Sequence, residues 1–386
     1  MNKLFDPIRR LFTPVSPLPA GIYQFQSPPD AAQTYRLQLR LEPDGNGLLI
    51  VNARTVLHLN QTAAEFAYHL IKGTPEGDVV KVISNRYRIG REEAGKDFRS
   101  LRERLDTLTH TNDLDPVSFL DFERSDPYKT ELSAPLRLDC ALTYRLSELA
   151  APHAAPVERV KRELTTTEWQ TIMDKAWNAG IPHIIFTGGE PTLRPDLPDL
   201  VAYAEKLGMV SGVLSDGLRL CEKDYLHALL QSGLDHLMVV FIPEEEQSWE
   251  ALRDVLAEDL FVTVHLTLTP RNTTGFNALI DKLAEMGVKT ISLSTSDLAL
   301  KEELHAASHH ATHRELSLVW DMPVPYSAMH SVALEMEENE VPQGAGRAWL
   351  YVKPDGDVLP AQGIERVMGN LLEQPWDAVW MNKPGS

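Results

Sequence analysis

The chain has 386 residues, with 37 basic against 55 acidic side chains and a formal net charge of −18. That surplus of negative charge repels nucleic acid over most of a surface. No run of about 18 apolar residues marks a membrane span, and the opening MNKLFDPIRRLF lacks the apolar core and cleavage site of a secretory signal. The cytoplasm is therefore the expected compartment.

Residues 1–33 read as two pieces. Leu4, Phe5, Ile8, Leu11 and Phe12 fall on one helical face, with Lys3, Arg9 and Arg10 on the other. Residues 1–12 are thus a candidate for peripheral docking on a membrane surface, against the plainer expectation of a frayed terminus interrupted by Pro7. Pro14, Pro17, Pro19, Pro28 and Pro29 then predict a stiff extended linker.

Residues 34–110 change pattern. Tyr35, Leu37, Leu39 and Leu41 alternate with polar residues, Asp44-Gly45-Asn46-Gly47 is a turn, and 48–51 and 55–59 continue as strands. Ala63, Phe66, Ala67, Leu70 and Ile71 follow at helical spacing behind a cap at Asn60 or Thr62, and two further helices are predicted around 79–83 and 98–108. A hairpin followed by three helices predicts a small winged-helix domain. Between residues 81 and 104, Lys81, Arg86, Arg88, Arg91, Lys96, Arg99, Arg102 and Arg104 outnumber Glu92, Glu93, Asp97 and Glu103. A solvated helix face accounts for this patch better than a DNA-binding regulator does, given the overall charge.

Residues 111–134 are polar, proline-punctuated and read as a hinge. From 135 to 316 strands and helices alternate, with strands predicted at 136–144, 183–187, 210–215, 236–241, 261–268 and 290–294. A helix over 168–179 opens on Thr165 and Glu168, spaced as a capping box. The expected fold is α/β: a partial (β/α)6 TIM-like barrel, preceded by the winged-helix domain and followed by a C-terminal extension over 317–386. A doubly wound sheet is the alternative on pattern alone. The extension carries the turn Lys353-Pro354-Asp355-Gly356-Asp357 and closes on Trp376 and Trp380.

The most informative segment is Phe186-Thr187-Gly188-Gly189-Glu190-Pro191-Thr192, a buried strand running into a Gly-Gly-Glu-Pro turn. Glycines let backbone approach a ligand closely, and a carboxylate there can accept from an ammonium group. By itself this is only a turn with a carboxylate. In its setting it resembles the GGEP motif of radical S-adenosylmethionine (SAM) enzymes, which contacts the SAM amino group. Residues 135–145 resemble that family's first strand, and Leu214-Ser215-Asp216-Gly217 stands where the family has a polar-Asn-Gly turn. The resemblance assigns Gly188, Gly189, Glu190, Pro191 and Ser215 to a vestigial SAM-like pocket. Residues 350–371 resemble the C-terminal extension of peptide-modifying members, the pyrroloquinoline-quinone maturases among them. Residues 34–108 are similar to the winged-helix peptide chaperone of that pathway, which takes up a leader peptide as an added strand.

The family's [4Fe–4S] cluster needs three cysteines in a Cys-x3-Cys-x2-Cys loop after the first strand, because iron and sulfide call for soft thiolates. The corresponding positions here are Leu146, Ala150 and His153, and the chain has two cysteines, Cys140 and Cys221. Positions tied to auxiliary clusters in relatives hold Ser327, Tyr351 and Ala361. The expectation is accordingly no catalytic residue, no metal and no cofactor: a [4Fe–4S] cluster is not expected, and SAM binds weakly at best. His305, His309, His310 and His313 crowd one segment, which an exposed polar helix explains more simply than a metal site. The expected function is a pseudoenzyme that binds a precursor peptide or a partner protein such as a catalytic paralogue. The alternative is a radical peptide-modifying enzyme with its cluster supplied by another chain or by unusual ligands.

Overall fold

The computed structural model describes residues 15–28, 30–31, 34–53, 55–110, 132–148, 160–295, 297–319, 344–364 and 366–383. The chain divides into two compact units, Met1–Ser133 and Ala134–Ser386. The amphipathic segment 1–12 and most of the hinge lie outside the described residues.

The first unit is an antiparallel meander, β1 (Gly21–Gln26), β2 (Arg36–Leu41), β3 (Gly47–Val51) and β4 (Thr55–Leu59). Three helices follow, α1 (Gln61–Ile71), α2 (Glu76–Tyr87) and α3 (Arg91–His110). Asn60 caps α1, its side chain accepting from the Ala63 amide at 3.0 Å. Leu39, Leu49 and Leu57 pack against Phe66, Val79, Phe98 and Leu105 in one core. Buried Glu65 ties α1 to α2, accepting from Arg86 at 2.7 and 2.8 Å and from the Tyr87 hydroxyl at 2.7 Å. Arg99 and Arg102 pair with Glu76 across α2 and α3, so part of the basic patch is spent on internal ion pairs.

One expectation needs correcting here. Residues 21–26 do not form linker; they pair with β2 from Gly21↔Leu41 to Gln26↔Arg36. The flanking prolines all fall outside the strand, and Tyr23 and Phe25 supply the alternation that anchors it. Tyr23 meets Tyr68 edge-on at 4.8 Å between ring centroids.

The second unit repeats strand and helix: β5 (Arg137–Thr143), α4 (Thr166–Asn178), β6 (His183–Gly188), α5 (Leu197–Leu207), β7 (Val210–Ser215), α6 (Lys223–Gln231) and β8 (His236–Val240). It continues through α7 (Glu246–Leu256), β9 (Phe261–Leu268), α8 (Phe276–Glu285), β10 (Thr290–Thr295), α9 (Lys301–His313) and the short β11 (Ser317–Leu318). The capping box at Thr165 and Glu168 is formed, and Arg162 grips Glu168 at 2.8 and 2.9 Å.

Strands β5 to β11 are parallel and lie side by side in sequence order. A doubly wound sheet reverses order at a switch point; this one does not, so it is the wall of a partial barrel. The C-terminal extension belongs to the same sheet. β12 (Trp349–Val352) adds parallel to β5, and β13 (Asp357–Leu359) and β14 (Gly369–Asn370) follow antiparallel, before α10 (Trp376–Trp380).

At the N-terminal ends of the strands, His183 and His236 are half-buried with their Nε2 atoms 2.7 Å apart. Such a contact needs one ring to donate and the other to accept, so at least the accepting ring is neutral. Burial holds His183 well below its ordinary value and brings His236 down to about 4. An unfolded chain binds protons at these rings below about pH 6.5, whereas the folded one resists until far lower. Their stabilising contribution is therefore complete above pH 6.5 and is lost as the pH falls toward 4. The variant His236→Phe is expected to be less stable at pH 8 yet to lose less of its thermal midpoint between pH 6.5 and 4 than wild type, as scanning calorimetry can measure.

Candidate functional site

The concave face of the sheet follows from register. In parallel pairing, partners at one level share a face. One such level runs Ala141, Thr187, then across β7 to Leu214, Met238, Thr263 and Thr290. The intervening residues, Leu138, Cys140, Leu142, Ile184, Phe186 and Val213, join the core shared with the helices. Barrel chemistry collects where the strands end, and the Gly-Gly-Glu-Pro turn lies at the C-terminal end of β6.

Gly188 has φ of +132°, which side chains with a Cβ rarely adopt. A Cβ on Gly188 would strike the Thr143 carbonyl, and one on Gly189 the Arg145 carbonyl. That closeness serves two hydrogen bonds: the Gly189 amide donates to Thr143 O at 2.6 Å and the Glu190 amide to Arg145 O at 2.7 Å. The turn is thereby fastened to the chain leaving β5.

Glu190 is 1% exposed. Its Oε1 accepts from the Thr192 amide at 2.9 Å, the Thr192 hydroxyl at 2.5 Å and the Ser215 hydroxyl at 2.8 Å; Oε2 accepts from the Asp216 amide at 2.8 Å. Ser215 Oγ in turn accepts from the Gly217 amide at 2.9 Å. Burial, reinforced by the carboxylate of Asp216 and opposed by these hydrogen bonds, raises Glu190 to about 7. Gly188, Gly189, Glu190 and Pro191 thus form one turn, and Ser215 stands beside it through its bond to Glu190. Two buried polar atoms beside the turn, Thr187 Oγ1 and Asp216 Oδ2, have no hydrogen-bond partner among the described residues.

Leu146 lines a cavity of about 610 Å³ at the end of β5, with Arg145, Lys161, Arg162, Glu163 and Leu193 around it. Ala150, His153 and Ser327 lie outside the described residues. Tyr351 packs with Ala141, Tyr144 and Leu359 on the concave side, and Ala361 is buried. Both cysteines are free. Cys140 is sealed in the helix-side core, where burial raises its thiol well above the usual range. The Cys221 thiol donates to Leu218 O at 3.1 Å.

Sequence reasoning missed the polar half of the concave face. His265 is fully buried on β9, with Nδ1 3.0 Å from Ser292 Oγ and Nε2 3.0 Å from Ser294 Oγ. The signal was present as Thr263, His265 and Thr267 facing Thr290, Ser292 and Ser294 at period two, inside strands otherwise made of Val, Leu and Ile.

With the geometry in place, comparison with known proteins adds three findings. Residues 140–240 match the model of the Radical SAM superfamily. Those residues are similar to a radical SAM domain. The chain is 27% identical over 283 residues to a protein of Streptomyces rochei described as PqqA peptide cyclase, covering 64% of this chain and 76% of that one. It shares its fold with SuiB of Streptococcus suis, solved with its precursor peptide SuiA and with S-adenosylmethionine, each at TM-score 0.59, 15% identity, 89% of this chain and 86% of the other. These similarities point to the peptide-modifying branch.

They also correct the expectation of no cofactor. The superfamily match and the S-adenosylmethionine held by SuiB overturn it. The turn fits an ammonium-bearing ligand, because Glu190 and the unpartnered Asp216 Oδ2 put two carboxyl groups beside it. The side chains do not fit a three-thiolate cluster: the sequence holds two cysteines and one of them faces the helices. No step is derived through that group.

Two outcomes are expected at this site. Gly188→Ala and Gly189→Ala each force backbone apart and are expected to cost about 1–3 kcal/mol in urea unfolding. In Asp216→Asn the neighbouring negative charge is gone, so Glu190 titrates below about 7 but stays above 4.5 because burial persists. Infrared titration of the carboxyl band reads that shift.

Proposed function

We propose that this chain is the peptide-recognising member of a radical-SAM-type peptide-maturation system. It is a pseudoenzyme that holds a precursor peptide, or presents it to a catalytic partner, without carrying out the radical step alone. The observation that carries this is the thiol inventory: two cysteines, Cys140 packed against helices and Cys221 engaged with Leu218. Residues 34–110 are the recognition domain, and the barrel of 135–316 is its scaffold.

Within the first unit β1 covers the outer edge of β2, while β4, among the described residues, pairs with β3 alone. An extended peptide can add along the free edge of β4, main-chain bonds giving affinity and alternate side chains specificity. The likeness to SuiB, solved with its precursor peptide, supports this use. SAM, when bound, supplies a sulfonium centre and a protonated amino group. Glu190, Ser215 and the Gly188-Gly189 backbone would hold the amino end.

Hydrogen exchange in the presence of synthetic peptides covering the products of neighbouring genes tests recognition. Amides of 55–59 are expected to slow at least several-fold while those of 21–26 stay unchanged; no slowing in β4 overturns the assignment. Incubation of the anaerobically purified chain with SAM and a strong reductant tests the pseudoenzyme. SAM is expected to remain intact, and 5′-deoxyadenosine formed by the chain alone would refute it.

A further inference from the structure

Away from the barrel mouth, α9 buries Leu304, Ala307, Ser308 and Ala311 and presents His305 and His309 to solvent. The two rings stand one turn apart, nearly perpendicular at 87°, with their Nε2 atoms 3.1 Å apart. A divalent transition ion binds imidazole nitrogen at about 2.0–2.1 Å, so two cis nitrogens on one ion sit about 2.9–3.4 Å apart. The observed separation lies inside that window with no rearrangement of the helix.

The other histidines of the segment are disposed differently. His310 lies 2.8 Å from Asp281 Oδ1, which Arg314 also approaches at 3.1 Å. His313 is exposed one turn beyond His309. Glu302 and Glu303 occupy the first turn of the same helix, and the chain's net charge of −18 draws cations toward it.

We infer that His305 and His309 form a bidentate site for a borderline divalent transition cation of the zinc, nickel or copper class, replacing the proton the two rings now share. Imidazole pairs suit these ions and not magnesium or calcium, which take oxygen donors. Among the described residues no group of three or more His, Cys, Asp or Glu side chains is placed to hold a metal. The site therefore leaves coordination positions open to water or to a ligand from a bound protein.

Isothermal titration of the tag-free full chain with zinc chloride and copper chloride tests this. One equivalent should bind with micromolar affinity, and His305→Ala and His309→Ala should each weaken it about tenfold or more, since a chelate loses one of its two donors. His310→Ala should leave it unchanged. Copper paramagnetic resonance should report two nitrogen ligands, reduced to one in either single variant. All these positions are solvent-facing or partly so, and circular dichroism verifies that the variants fold. No binding by wild type, or affinity indifferent to both His305→Ala and His309→Ala, overturns the site.

Discussion

The second unit depends on one close approach of backbone to backbone. Where β6 ends, the amides of Gly189 and Glu190 reach carbonyls of the chain leaving β5 at 2.6 and 2.7 Å. No residue with a Cβ can stand at either glycine without pushing that chain away. Those two bonds fix the direction in which Glu190 turns, and Glu190 then accepts from the ends of both β6 and β7. The carboxylate thereby joins the ends of β6 and β7, and the two backbone bonds join them to the end of β5. A loose loop could not supply this, because an unpartnered buried carboxylate is costly and each missing donor adds to that cost.

Opposite ends of the same strands carry opposite linkages. The half-buried pair His183 and His236 favours the fold at neutral pH and resists protonation. Glu190, raised to about 7, does the reverse: its ionised form is disfavoured in the folded state, so its contribution weakens as the pH rises from about 4.5 to 7. The two effects overlap and partly cancel in acid. A flat pH dependence of overall stability would thus hide two steep local ones, which separate only when one group is replaced.

Much of the fold was legible in the sequence because buried parallel strands read as near-continuous apolar runs between turn signals. The turn 187–191 was legible for a different reason, since two adjacent glycines before a carboxylate and a proline have few structural uses. β1 was obscured by the density of prolines around it, although Pro17, Pro19, Pro28 and Pro29 all stand outside residues 21–26. His265, Ser292 and Ser294 were hidden because a polar residue in a single strand carries no sign of its partner. Only the pairing of β9 with β10 places the imidazole between two hydroxyls. The facing of Cys140 was present in the alternation of Leu138, Cys140 and Leu142, which puts the thiol on the helix side.

That facing sharpens what the missing thiolates mean. A cysteine on the concave side could in principle be joined by donors from a second chain. Cys140 cannot, because its thiol is enclosed by helix-side core and burial opposes the thiolate form that iron requires. The Gly188–Pro191 turn is fastened to the chain leaving β5, and Leu146 lines a cavity at the end of that strand. On the function proposed above, recognition is separable from radical generation. The first needs the strand ends and their glycines; the second needs soft anionic donors, and the cavity at the end of β5 is lined instead by Arg145, Leu146, Lys161, Arg162 and Glu163.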